Sequence, residues 1–280
     1  MSKQFIRDKR NDLTAVLVVR NEEKLIERAL NSVKQVTNNV IVIHDGKCKD
    51  NTLQICNKHR CKVYIRKELG EAEFHRAWSY GIVKTKWILQ IDADEYLSDD
   101  LIKNIDSLLD NNKVDCWEFL WPYFDGKRYR TKKWPYKKAL FKKSKINFVA
   151  LPHEEVVVDG IVKKTNLRLN HEPDYDNFSF DRFKTKHKKW IEAHAKYLLM
   201  NPRKYNRFPK DNGLKPHYYF VVKHLLLYSV PLFFYHFFGL LSSGGLLEGW
   251  WGLRNSFFQS IYYFFLCLEI SVLKKNSQLR

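Results

Sequence analysis

The chain is short of acid: 31 Asp and Glu stand against 49 Lys and Arg, a formal net charge of +18 at pH 7. The shortage is local. Residues 1–112 carry 19 basic and 17 acidic side chains, residues 113–215 carry 25 and 12, and residues 216–280 carry 5 and 2. A basic middle third attracts polyanions in general, so nucleic acid, anionic lipid headgroups and phosphorylated glycolipids all fit the charge. Cysteine is equally sparse. Cys48, Cys56, Cys61, Cys116 and Cys267 form an odd set without a CxxC pair, which argues against a disulfide framework or a zinc site and for reduced thiols. Also missing are a Walker loop, a G-x-S-x-G elbow and a G-x-G-x-x-G fingerprint, together with the chemistries those motifs carry. No internal repeat, low-complexity tract or disorder-prone polar stretch is visible. Residues 1–12 are polar and contain no apolar h-region, so no secretory signal is expected and the folded part is expected in the cytoplasm.

What is present is an alternation of apolar strands with helices. Leu13 to Val19 is a continuously apolar, β-branched run, the pattern of a buried parallel strand. Arg20-Asn21-Glu22-Glu23 opens a helical stretch to about Val36. Val40 to His44 is a second buried strand, followed by a polar loop from Asp45 to Asp50 and a short helix to about His59. Cys61 to Arg66 reads as a third strand, Ala72 to Lys84 as a helix, and Trp87 to Ile91 as a fourth strand that ends at Asp92. This spacing predicts an α/β fold with a doubly wound, mostly parallel sheet. Ligands of such sheets sit at the carboxyl ends of strands, which is where the Arg20-Asn21, Asp45 and Asp92 loops begin.

Asp92 and Asp94 flank one small residue at such a strand end. Carboxylates that close repel, and a hard divalent cation with oxygen ligands would neutralise them and bridge to phosphate oxygens. A solvated acidic turn before a helix over Tyr96 to Leu109 is the alternative. From Asp115 onward the pattern shifts to shorter strand-like pieces at Cys116–Trp121, Lys138–Phe141, Glu154–Val158 and Leu167–Leu169, among basic and aromatic loops. Trp117, Trp121, Tyr123, Phe124, Tyr129, Trp134 and Tyr136 interleave with those basic residues. Aromatics stack on sugar rings as well as on bases, and no nucleic-acid partner is expected.

Phe178 to Met200 returns to helix, and Pro202, Pro209, Gly213 and Pro216 mark residues 201–216 as a linker. Leu225 to Leu241 is strongly apolar but only marginal in length for a membrane span, and contains Pro231. With the Gly-rich turn after it and the aromatic stretch Gly249 to Leu273, it predicts a helical hairpin on or in a membrane, or else packed on the domain. The expected organisation is a domain over 1–200, with halves 13–112 and 113–200, then the linker, then a membrane-associating region over 217–280.

The segments LTAVLVVRNEEKLIERALNSV, VIVIHDGKCKDNT and WILQIDADEYL, in this order and spacing, resemble the nucleotide-binding half of family 2 glycosyltransferases with the GT-A fold. Within that family they resemble the bacterial branch that adds glucose or a related hexose to lipopolysaccharide core. The likeness is dense over residues 13–109 and continues through PHEEV, LRLNHEPDY and GLLEGWWGL. It implies a GT-A (Rossmann-like) sheet and a nucleotide-sugar donor faced by Val19, Arg20, Asn21 and Glu22. Asp45 would hydrogen-bond the base or ribose, and Arg76, Asp92 and Ala93 would contact the donor. Asp50 matches the Asp of an S-x-D-x-T-like loop, although Lys47 and Lys49 replace the small residues usual there; they would reach phosphates or stay solvated. The resemblance also implies Mn²⁺ or Mg²⁺ on Asp92, Asp94 and His171, with Glu95 orienting them. Glu154, with Glu155 second, would take the proton of an acceptor hydroxyl. The acceptor implied is a lipopolysaccharide or another envelope glycan or glycolipid, reached from the inner face of the cytoplasmic membrane.

Two rival readings remain on the sequence. A sugar-nucleotide pyrophosphorylase would want a Gly-rich phosphate loop after the first strand, and Arg20-Asn21-Glu22-Glu23 does not supply it. A basic membrane or nucleic-acid binding protein without turnover would leave the strand-end carboxylates unexplained.

Overall fold

A computed structural model describes residues 9–70, 72–130, 134–147, 156–176, 179–199, 225–242 and 244–278. They fall into two compact units, the first built from described residues within 9–122, 135–147 and 156–174 and the second from those within 123–134 and 175–278.

The first unit is built on one eight-stranded sheet. β1 (Leu13–Val19), β2 (Val40–Asp45), β3 (Lys62–Arg66) and β4 (Trp87–Gln90) run parallel, as the apolar runs predict. The side chains of β1, β2 and β4 are buried on both faces, which is why those segments read as nearly unbroken apolar runs, while β3 at the sheet edge is partly exposed. The helices α1 (Ile26–Val33), α2 (Thr52–Lys58) and α3 (Ala72–Ile82) make the crossovers. Full burial of each Leu, Ile or Val contributes about 1.5–3 kcal/mol, and Leu17, Leu30, Ile43, Ile88 and Leu101 are all fully buried.

Beyond β4 the mostly parallel sheet takes in antiparallel strands. β5 (Glu95–Leu97) and α4 (Asp99–Leu109) occupy the span read as a single helix from Tyr96. Ser98 separates them: its hydroxyl accepts the Leu101 N–H at 3.2 Å and caps α4, with Asp99 and Asp100 in the first turn. β6 (Cys116–Leu120) follows. After the residues of the second unit come β9 (Tyr136–Lys142), the short pair β10 (Ile146–Asn147) and β11 (Val157–Val158), and β12 (Val162–His171), a ten-residue strand where only Leu167–Leu169 was read. Across the sheet the order is β3-β2-β1-β4-β9-β6-β12-β5. β9 is antiparallel to both β4 and β6, and β5 is antiparallel to β12. The sheet is therefore parallel in its nucleotide-binding half and mixed beyond it.

The second unit holds the two-stranded ribbon of β7 (Tyr123–Phe124) and β8 (Tyr129–Arg130). It continues with α5 (Phe180–Arg182), a π-helical turn Phe183–His187, α6 (Lys188–Leu199), α7 (Leu225–Ser242), a 3₁₀ turn Gly245–Glu248 and α8 (Gly249–Gln278). The expected hairpin is present as α7 and α8. Ile191 and Ala195 of α6 pack with Tyr262, Leu266, Cys267 and Ile270 of α8, so α6 belongs with the hairpin. Gly252 lets the turn close. A Cβ there would lie 1.9 Å from the Gly245 carbonyl oxygen.

Candidate active site

Strand register assembles the site. β1 and β2 align Val19 with His44, so the Arg20-Asn21 loop and Asp45 emerge side by side from the carboxyl edge of the sheet. β4 runs beside β1 and brings Asp92 to the same edge.

The first loop is fixed by backbone strain and hydrogen bonds. Asn21 has φ of +54°, a left-handed conformation that Asn tolerates better than most residues. Its side-chain oxygen accepts the Lys49 N–H at 2.8 Å, and its own N–H donates to His44 Nε2 at 3.4 Å. The Glu22 N–H donates to Thr52 Oγ1 at 2.7 Å, and its carbonyl oxygen receives Ile26 N–H at 3.0 Å. Glu22 thus opens α1 through its backbone, and the regular helix starts at Ile26, later than the sequence suggested. Val19 and Ala93 point their side chains into the core and offer the site only backbone.

Asp50 clamps loops together. It accepts the Glu23 N–H at 3.1 Å and the Thr52 N–H at 3.0 Å, while Glu23 in turn accepts from Asn51. Lys47 and Lys49 are exposed.

Asp45 is nearly fully buried, and both of its oxygens are engaged. Leu69 N–H donates at 2.7 Å, Gly70 N–H at 3.0 Å and His75 Nε2 at 2.7 Å. Arg66 donates to His75 Nδ1 at 3.3 Å, so the ring carries its proton on Nε2 and passes it towards Asp45. Burial disfavours the Asp45 anion, but His75 and the two N–H groups outweigh it and hold the carboxyl below its ordinary range. Arg20 stands 4.0 Å from the second Asp45 oxygen and also pairs with Glu68.

Around Asp92 the arrangement is unlike a bare acidic turn. Its two oxygens meet Arg76 of α3 and, at 2.9 Å, the Lys137 ammonium. Lys137 also donates to Glu95, whose side chain is wholly buried. Burial would raise the Asp92 carboxyl; Arg76 and Lys137 overturn that and hold it well below the usual carboxylate range. Glu95 goes the other way, since burial pushes its carboxyl up and Lys137 offsets only part of the effect. Glu95 ties the segment together, accepting the Asp92 N–H at 2.9 Å and the Trp121 indole N–H at 2.6 Å.

Asp94 is separate. It is about a fifth exposed, and its Oδ2 lies 3.4 Å from His171 Nε2. Burial opposes ionisation of Asp94, and the contact with His171 prevails, so its carboxyl is lowered. β12 delivers His171 because His171 pairs with Glu95 across to β5. The imidazole stacks on Trp121 with ring centroids 4.0 Å apart, and its buried Nδ1 has no hydrogen-bond partner among the described residues. Next along the chain, Glu172 accepts from Arg28 and, at 2.6 Å, from the Tyr96 hydroxyl.

Among the described residues, no three His, Cys, Asp or Glu side chains converge as a metal-binding group. Of the expected trio, Asp94 and His171 stand 3.4 Å apart, while the oxygens of Asp92 are engaged by Arg76 and Lys137. Asp94 and His171 do fit a divalent cation that completes its coordination with water and phosphate oxygens. Glu154 and Glu155 lie outside the described residues. Sequence reading missed Lys137, brought in by the antiparallel pairing of β9 with β4, and the partnership of Trp121 with His171, which depends on β12 lying parallel to β6.

A model of the family described as "Glycosyl transferase family 2" matches residues 14–161. An uncharacterized glycosyltransferase of Rickettsia conorii is 34% identical over 103 residues, 37% of this chain and 36% of that protein. A counterpart in Rickettsia bellii is 36% identical over 103 residues, 37% of this chain and 34% of that protein. The match thus spans about a third of the length of these relatives. Among solved structures, S. aureus TarS 1-349 is similar at 15% identity and TM-score 0.44, covering 67% of this chain and 65% of that one. Glucosyl-3-phosphoglycerate synthase from Mycobacterium tuberculosis, solved with Mn²⁺ and uridine-diphosphate-glucose, is similar at 13% identity and TM-score 0.47, covering 65% and 77%. With the family model covering more than half of its length, the chain belongs to glycosyl transferase family 2.

Proposed function

We propose that this chain transfers a hexose, glucose from a UDP-linked donor in the first instance, with inversion onto a lipopolysaccharide or other envelope glycan or glycolipid. The observation that carries this reading is the pairing of Asp94 with His171 beside a cation-buttressed Asp92, at the carboxyl edge of a parallel sheet. In this reading the donor's base and ribose lie along the Arg20-Asn21-Glu22 loop and Asp45. Arg76 and Lys137 keep Asp92 anionic and fixed, ready to accept from a ribose hydroxyl.

A divalent cation, Mn²⁺ before Mg²⁺ because an imidazole is present, would be held by Asp94 and His171 and would offset charge on the departing nucleoside diphosphate. Inversion at the anomeric carbon needs a carboxylate on the face opposite the leaving group, and we assign that role to Glu154 with Glu155 second. The acceptor is amphiphilic, and α7 and α8 bring the chain to the cytoplasmic face of a membrane.

A panel of UDP-, GDP- and dTDP-sugars with and without Mn²⁺ tests the assignment, reading both hydrolysis and thermal stabilisation. Metal-dependent stabilisation by a UDP-hexose supports it. Indifference to every nucleotide sugar, together with strong salt-dependent binding to nucleic acid, would overturn it.

A further inference from the structure

The exposed large hydrophobic side chains of the protein concentrate between Leu227 and Val272. They do not encircle their helices. On α7, Leu227, Val230, Phe234 and Phe238 recur at steps of three and four residues and so share one face. On α8, Trp250, Leu253 and Phe257 do the same, and Phe265 and Val272 continue the stripe. Leu246 and Leu247 extend it through the turn. The opposite faces are packed: His236 stacks on Tyr263 with ring centroids 3.9 Å apart, and Tyr262, Leu266 and Ile270 meet Ile191 and Ala195 of α6.

Charge follows the same division. From residue 225 to residue 272 the Asp, Glu, Lys and Arg residues are Glu248, Arg254 and Glu269. Arg254 pairs with Asp176, and Glu248 lies 3.8 Å from Arg130, all within the second unit. Two of these three charges are thus met by opposite charges on other segments of the unit. Lys184, Lys188, Lys189 and Lys275 are exposed on the same unit.

We propose that this stripe docks in the plane of one leaflet of an anionic bilayer and that α8 does not cross the membrane. The proposal rests on the membrane contact suggested above and specifies its geometry. By length and composition α8 passes as a span, since Gly245–Asn276 is 32 residues long and apolar enough. Its packing rules that out. Tyr262 to Ile270 lie against α6, whose Lys188, Lys189 and Lys196 are exposed. Crossing would pull those ammonium groups into hydrocarbon or strip α6 from α8 and expose its packed face. Lying in the interface avoids both: the stripe enters the acyl region, Trp250 sits at headgroup depth, and the exposed Lys275, in helical register with Trp250 and Phe257, meets anionic headgroups at the end of the stripe.

The test uses the full chain and vesicles of phosphatidylcholine alone or with phosphatidylglycerol. Co-sedimentation is expected with the anionic vesicles, falling at least about tenfold in the Trp250→Glu, Leu253→Glu double variant, with nucleotide-sugar hydrolysis and circular dichroism retained. The bound protein is expected to be released by alkaline carbonate. Absence of binding to either vesicle overturns the membrane contact itself. Binding that resists carbonate overturns the in-plane geometry and leaves the contact standing. Binding indifferent to the double variant, or a dimer in solution that the variant dissolves, assigns the stripe elsewhere and overturns the proposal.

Discussion

The Lys137 ammonium lies 2.9 Å from one oxygen of Asp92 and also donates to the buried carboxylate of Glu95. One cation thus serves two acids that strand pairing forces together. Replacing Lys137 with Met leaves Glu95 buried without it, and breaking a buried pair in this way costs about 3–5 kcal/mol. Because burial raises the Glu95 carboxyl above its ordinary value of 4.5, the unpaired acid protonates as pH falls. The loss in Lys137→Met is therefore largest at neutral pH and shrinks towards pH 5. Adding Glu95→Gln restores most of it, and urea unfolding of the three variants at both pH values measures the effect.

Asp94 has a different dependence. The group it meets through its side chain is the buried His171, so Asp94→Ala costs about 1–3 kcal/mol by leaving the imidazole without that partner. Donor-dependent transfer is expected to vanish. Mn²⁺ binding followed by electron paramagnetic resonance is expected to weaken sharply in Asp94→Ala and by about 10–100-fold in Trp121→Leu, which removes the ring that holds His171 in place. Full turnover by Asp94→Ala would remove this residue from the reaction.

The parallel half of this site was legible because its strands are consecutive and apolar throughout, so that Arg20, Asp45 and Asp92 fall at strand ends whatever the rest of the chain does. Lys137 was not. It stands in the alternating segment Tyr136–Lys142, where any of three lysines looks solvated. The register Trp87 with Lys142 and Leu89 with Leu140 carries Lys137 opposite Asp92 when extended, and nothing local announces that pairing. Trp121 and His171 meet through another distant pairing, Trp121 following β6 and His171 ending β12, which runs parallel to it. Asp50 was legible as a conserving element of its loop only through resemblance. Its physical role, accepting backbone N–H groups from two loops, needed coordinates.

Asp45 gives a prediction with a definite sign. Its carboxyl is lowered below the ordinary value of 3.8, so its contribution to stability is present above that pH and lost as pH falls through the folded value. Asp45→Asn turns one acceptor into a donor facing Leu69, Gly70 or His75, and costs about 1–3 kcal/mol at neutral pH. The gap between variant and parent closes below pH 3.8, as denaturant titrations across that range will show.

Asn21 separates backbone strain from donor recognition. At φ of +54° a residue with a Cβ but no helpful side chain is strained, so Asn21→Ala costs about 1–2 kcal/mol, whereas Asn21→Gly relieves the strain. Both variants lose the 2.8 Å bond from Lys49 that ties the first loop to the second. If the paired loops form the donor's seat, both raise KM for the nucleotide sugar with little change in kcat, although only the alanine variant melts early. A KM that tracked stability, rising in Asn21→Ala and unchanged in Asn21→Gly, would mean that the loop conformation matters and the Lys49 bond does not.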